Sequence, residues 1–324
     1  ARLYGYHNLP STLPVGQLSV GQVEPVLLVE NRVKVLLKGL GFTEMLNLSL
    51  TSKELAGDGN LVKVLNPLGP ETEYLVADPF PLAVEAIKKN VSRFNEIRIF
   101  EIGNAYRPQG KENLPYETDF LTLALLSPLF ADTEKAFLEV KGLAETIFKE
   151  LSVKGYIFKD YTAFPYRYSM PLDTNNAFIV NAEKEIKSGK ILGVGGKSFE
   201  IDNLWLIKIN LRALEELIMP GNAFDRLPDF PPIIEEISFY LPREKTYGEA
   251  VAAVKTAGGK MLVSVTLSDL YTDKTLKQKE KRSLTLKLSF QDQEKTLSGE
   301  EIKPLRERIL KDLKEKLGAE PRAK

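Results

Sequence analysis

The chain has no cysteine and a single histidine, His7, in 324 residues. Without thiols there is no disulfide, no thiolate nucleophile and no zinc–sulfur centre. One imidazole excludes multi-histidine metal sites and leaves a Ser-His-Asp triad resting on His7 alone. No apolar run approaches the ~20 residues that span a bilayer, and no stretch has the pattern of a signal peptide. The cytoplasm is therefore the expected location, with no membrane partner. Chemistry is left to carboxylates, lysine, arginine and tyrosine, or to a partner's residues.

Net charge is also absent, with 44 Lys+Arg against 44 Asp+Glu. The balance hides a split: residues 1–225 carry 24 basic against 28 acidic side chains, and residues 226–324 carry 20 against 16. A mildly basic C-terminal part permits a nucleic-acid partner, although solvated helix faces give the same count. The length suffices for two domains with separate cores.

The C-terminal hundred residues are the most ordered as a pattern. Phe230-Pro231-Pro232 precedes an alternating strand, 233–241. A short helix (246–257), the Gly258-Gly259 turn and a strand over 261–271 follow. A lysine-rich loop then leads to a strand over 283–290, a long amphipathic helix over 298–317 and a tail able to form a last strand. This β-α-β-β-α-β order predicts a ferredoxin-like domain. Alternation places Asp269 and Tyr271 on one face of their strand.

With Asp269-Leu270-Tyr271, Lys281-Arg282-Ser283-Leu284, Thr296-Leu297-Ser298 and Leu317-Gly318-Ala319 in fixed order, this stretch resembles the ferredoxin-fold anticodon-binding domain that ends the beta chain of bacterial-type phenylalanyl-tRNA synthetases. The resemblance implies RNA contacts from Asp269, Tyr271, Ser283, Arg282, Lys281 and, after Leu-Gly-Ala, Arg322. Tyr271 would stack on a base and Asp269 would accept from the N–H edge of guanine, the first base of the phenylalanine anticodon. Ser283 would bond a base edge, while Lys274, Lys277, Lys279, Lys281 and Arg282 would meet phosphates. Ser268 stands where the family has phenylalanine. Glu235-Glu236 stands where it often has Arg-Asp, which weakens phosphate contact from that edge.

The upstream residues carry the same resemblance more sparsely. Tyr4-Gly5-Tyr6 with Leu9-Pro10 matches the family's junction into its catalytic-like module, so residues 1–15 are expected to be the tail of a preceding domain and a linker. On this reading the chain is the C-terminal piece of a longer one. Val26, Val29, Val33, Leu36, Leu37 and Leu40 follow helical spacing up to Gly41, and Gly41, Phe42 and Glu44 match a family turn. Strands are expected over 45–50 and 62–65, followed by Asn66-Pro67-Leu68-Gly69-Pro70-Glu71, and a helix over 81–90. Ile97-Arg98-Ile99-Phe100-Glu101-Ile102-Gly103 resembles the family's relic of a class II synthetase motif. The middle alternates strand and helix signals at 120–126, 140–151 and 177–180. Phe164-Pro165-Tyr166-Arg167-Tyr168-Ser169 stands where the family has a histidine-containing segment.

In a working class II site an arginine clamps ATP phosphates. A second arginine constellation is missing here. The glycine cluster Gly193-Val194-Gly195-Gly196 lacks the helix start and basic residue of a phosphate loop, and reads as a tight strand turn. The expected architecture is thus α+β: a class II synthetase-like, non-catalytic antiparallel sheet with helices (16–225), a polar connector over 220–228, then the ferredoxin-like βαββαβ domain (226–324). No catalytic residue, metal site or cofactor is expected in the chain. ATP and magnesium would belong to the alpha chain of the holoenzyme, in an assembly of two alpha and two beta chains that acts on the phenylalanine tRNA. The 26–40 helix would face such a partner or the chain's own core. Two rivals stay open: a self-sufficient ligase using Arg98 and Glu101, and a ferredoxin-like regulatory module that binds a small molecule and no RNA.

Overall fold

The computed structural model describes residues 2–13, 15–16, 21–57, 59–110, 113–161, 171–219 and 228–322. The chain divides into two compact units, Ala1–Asn222 and Ala223–Lys324. The segment 164–169, and most of the connector 220–228, lie outside the described residues.

In the first unit the helices are α1 (Pro25–Gly39), α2 (Lys53–Ala56), α3 (Phe80–Asn90), α4 (Thr133–Glu150) and α5 (Leu211–Glu215). Its strands are β1 (Thr43–Glu44), β2 (Leu50–Thr51), β3 (Tyr74–Leu75), β4 (Ile97–Arg107), β5 (Tyr116–Leu126), β6 (Tyr156–Asp160), β7 (Leu172–Ala182), β8 (Ile191–Ser198) and β9 (Leu204–Asn210). Seven of these form one sheet in the order β1-β4-β5-β9-β8-β7-β6, antiparallel except for the short parallel pair β1–β4. Both faces are covered. Phe100, Leu121, Leu123, Leu125, Trp205 and Ile207 pack with α1, α4 and α5, and Ala124, Ile179, Val194 and Leu206 pack with α3. Strands buried on both faces explain why this middle region shows little clean alternation.

Four expectations are corrected here. Residues 45–49 are not a strand: Leu46 and Leu48 are exposed, and the regular pairing is confined to β2 with β3. Residues 62–65 contribute a single bridge, Lys63 to Tyr74, rather than a strand. Helix α4 starts seven residues before 140, because the Asp132 carboxylate caps the Lys135 N–H and Ala136 continues the stripe of Val140, Ala144 and Ile147. The glycine cluster is not a turn. It lies inside β8, hydrogen-bonded to β7 on one side and β9 on the other.

The second unit contains β10 (Ile233–Pro242), α6 (Tyr247–Gly258), β11 (Leu262–Tyr271), α7 (Lys274–Gln278), β12 (Lys281–Phe290), α8 (Gly299–Leu317) and β13 (Glu320–Pro321). The sheet order β11-β12-β10-β13, all antiparallel, is the ferredoxin-like arrangement. One sheet face carries Ile237, Phe239, Leu241, Leu284, Leu286, Leu288 and Phe290, all buried against α6 and α8. Both helices begin in reciprocal capping boxes: Thr246 with Glu249, and Ser298 with Glu301. Gly318 ends α8 at φ +64°, a left-handed conformation that lets the chain turn back into β13. The lysine-rich loop contains one helical turn, α7, started by the Asp273 carboxylate accepting from the Leu276 N–H at 2.6 Å.

Candidate nucleic-acid interface

Since the helices occupy one face of the second sheet, alternation delivers the intervening side chains to the other. On β10 these are Glu236, Ser238 and Tyr240; on β12 they are Lys281, Ser283, Thr285, Lys287 and Ser289. On β11 a bulge decides the outcome. The register runs Leu267 opposite Leu286, then Asp269 opposite Thr285, so Ser268 is the extra residue. Without that insertion Asp269 would face the helices. With it, Asp269 stands beside Thr285 and Tyr271 beside Ser283, on the open face. The bulge is pinned by Ser268, whose hydroxyl donates to the Glu236 carboxylate at 2.7 Å. The serine found in place of the family's phenylalanine therefore has a local use.

Asp269 and Tyr271 line a groove of about 600 Å³ with Tyr240, Asp273, Lys279, Lys281, Glu320 and Arg322. Tyr271 is half exposed, so its ring is available to a ligand. Lys281 lies 2.7 Å from Glu320, and the hydrogen bond from the ammonium holds the Glu320 carboxyl below the usual carboxylate range. Arg322 is anchored by its backbone N–H, which donates to the Ser238 carbonyl at 3.0 Å. Helix α7 borders the groove through Thr275 and Leu276.

The structure thus brings together four of the six residues that the sequence pointed to: Asp269, Tyr271, Lys281 and Arg322. The other two are placed differently. Ser283 is 1% exposed, set between Tyr240 and Tyr271 in the register. Arg282 has the parity of Leu284 and Leu286 and faces the helix side, where its guanidinium donates to the Lys245 carbonyl. Glu235 and Glu236, paired in sequence, separate in the same way. Glu235 turns towards Arg306 of α8 at 3.8 Å, and Glu236 stays on the open face. Tyr240, Asp273 and Glu320 were not singled out from the sequence. The parity of Tyr240 with Ser238 was legible, but its nearness to Tyr271 requires the β11-β12-β10 order.

In the first unit, Arg98 and Glu101 sit three residues apart on β4 and so point to opposite faces. Arg98 is engaged by Glu96 and Glu139, each at 3.2 Å. Glu101 is buried and accepts from the Asn47 backbone N–H at 2.5 Å and side-chain amide at 2.8 Å. These residues do not fit an ATP clamp. Among the described residues, no group of three or more His, Asp or Glu is placed to hold a metal ion. Nor is any helix among them long and apolar enough to cross a membrane. Helix α1 spends Val26, Val29, Val33 and Leu37 on the unit's own core, so the apolar face read from its sequence is not a free surface.

Comparison with known proteins completes the description. Residues 9–185 match the family model "Phenylalanyl tRNA synthetase beta chain CLM domain", and residues 228–322 match "Ferredoxin-fold anticodon binding domain". The chain belongs to the phenylalanyl-tRNA synthetase beta-chain family. The phenylalanine–tRNA ligase beta subunit of Streptococcus thermophilus is 30% identical over 99% of this chain and 41% of its own length. That of Streptococcus pneumoniae is 28% identical over the same shares. The chain therefore spans about two fifths of the length of these relatives. A solved pyrrolysyl-tRNA synthetase from Desulfitobacterium hafniense aligns with 58% of this chain and 67% of its own at 20% identity, with a TM-score of 0.43.

Proposed function

We propose that this chain is the C-terminal part of a phenylalanine–tRNA ligase beta subunit, acting in the cytoplasm. Its second unit holds the anticodon arm of the phenylalanine tRNA, and its first is a platform for a catalytic alpha chain. The observation that carries the reading is the placement of Tyr271 and Asp269 on an open, cation-bearing sheet face, within the segment that matches an anticodon-binding model. Single-stranded RNA is held by stacking unpaired bases on aromatic rings and by bonding to their edges. The Asp269 carboxylate accepts from the N1–H and N2–H₂ of guanine and repels the acceptor edge of uracil or adenine. Lys279, Lys281 and Arg322 supply the phosphate attraction.

Joining phenylalanine to the tRNA would then be the alpha chain's task, with ATP and magnesium bound there, in an assembly of two alpha and two beta chains. Support for a platform comes from Leu46, Leu48, Leu65 and Leu68, large exposed apolar side chains on the two stretches of the first unit that flank β3. The engagement of Arg98 and Glu101 with their neighbours speaks against a self-sufficient ligase. A small-molecule regulatory module is disfavoured by the match of the second unit to an anticodon-binding model.

The test is binding of transcribed phenylalanine tRNA at two salt concentrations, against a transcript whose first anticodon guanine is replaced. Binding weakens with the base change in the wild type, and Tyr271→Ala and Asp269→Ala each abolish that discrimination. Salt-sensitive binding that ignores the base would reduce the groove to a basic surface.

A further inference from the structure

The groove holds a second aromatic ring. Tyr240 of β10 and Tyr271 of β11 stand directly opposite the same residue, Ser283 of β12, one on each side. Their Cα atoms are therefore two strand spacings apart, roughly 9–10 Å. Each ring rises from its own strand, and both line the groove. The floor between the rings is also closed, because Ser283 is 1% exposed. A base therefore does not reach the serine; what the groove offers it are the two rings and the polar groups around them.

The polar groups around the rings differ. Asp269 and Asp273 line the Tyr271 end, and both are acceptors. The Tyr240 end carries Glu320, its direct β13 neighbour, the Lys281 ammonium bound to Glu320, and Arg322 alongside Ser238. One end is equipped to choose a base by its donors. The other is equipped to stack any base and neutralise the phosphate beside it.

We propose that Tyr240 is a second base platform, holding an unpaired base next to the one on Tyr271, so that the groove takes two splayed nucleotides. The first is selected and the second is accepted without regard to identity. This rests on the anticodon reading above.

The experiment uses the whole chain and the anticodon stem-loop of the phenylalanine tRNA, with each anticodon base in turn replaced by an abasic ribose. Two positions are expected to matter, each costing about 5- to 150-fold in Kd. Exchanging the base at the second of them, rather than removing it, leaves Kd within a few-fold. Tyr240→Leu loses a similar factor and becomes indifferent to the second abasic site while staying sensitive to the first. Tyr271→Leu behaves reciprocally, and Tyr240→Phe binds as the wild type does. The proposal is overturned if the wild type responds at one position alone, or if the Tyr240→Leu penalty is absent or is cancelled by the same abasic site as that of Tyr271→Leu. The wild-type abasic series decides even if Tyr240→Leu fails to fold. Indifference of the wild type to every abasic site would refute the anticodon reading and Tyr240 with it. Sensitivity confined to one site would leave that reading standing and remove the second platform.

Discussion

Replacing Gly196 by alanine tests what the glycine cluster is for. A Cβ there would lie 2.6 Å from the Ala177 Cβ, 2.8 Å from the Ala177 Cα and 2.9 Å from the Asn176 carbonyl oxygen, all on the adjacent strand β7. The closest approach is about 0.9 Å inside the ~3.5 Å at which carbon atoms attract best. Two of the three obstacles are backbone, and β8 is bonded on both sides, so neither strand can withdraw without breaking its ladder. Overpacking of this kind costs about 1–3 kcal/mol. In a unit of this size that lowers Tm by about 2–12 °C. Gly142 is the control. It lies mid-helix in α4, where an added Cβ meets nothing within 4 Å, so Gly142→Ala stabilises by about 0.5–1 kcal/mol. The assay is thermal and urea denaturation of the chain, followed by the signal of the single, fully buried tryptophan, Trp205, beside β8. A Gly196→Ala chain as stable as the wild type would refute the packing argument. ATP binding by the wild-type chain that Gly196→Ala loses without losing stability would instead make the cluster a phosphate loop.

Two further outcomes follow from particular contacts in the second unit. Lys295 and the Ser298 N–H hold the Glu301 carboxyl down to about 2, against an ordinary value of 4.5. A depressed carboxyl stabilises the fold above its unfolded value and ceases to do so as pH falls through its folded one. The α8 cap should therefore weaken between pH 4.5 and about 2, an acid sensitivity that Glu301→Gln loses, while Ser298→Ala costs about 1 kcal/mol at pH 7; melting curves across pH check both. On the proposed RNA-binding reading Glu320 would compete with phosphate for Lys281, so Glu320→Gln is expected to tighten RNA binding and Lys281→Ala to weaken it equally for all sequences, with a salt slope lower by about 1. A Lys281→Ala effect confined to one anticodon would contradict that role.

Several features were legible from the chain itself. Phe239, Leu241, Leu284, Leu286 and Leu288 alternate so cleanly that only one face of their strands can be the core, which yields the ferredoxin-like order and leaves the other face open. The absence of cysteine and the lone His7 confined the chemistry before any geometry was known. Asp269 and Tyr271 could be placed on a common face by period alone. Period alone did not say which face: the Ser268 bulge, invisible as a sequence pattern, turned both away from the helices. Parity likewise separated Arg282 from Lys281, which adjacency in sequence had grouped together. In the first unit, sequence pattern determined that 26–37 is an amphipathic helix, but the side chains it covers come from α5 and α4, far along the chain. Local spacing records which side chains share a face, because that depends on backbone periodicity. Which face meets solvent, which strand lies alongside and which glycine has no room for a methyl group depend on contacts between distant segments, and only the tertiary structure decided those.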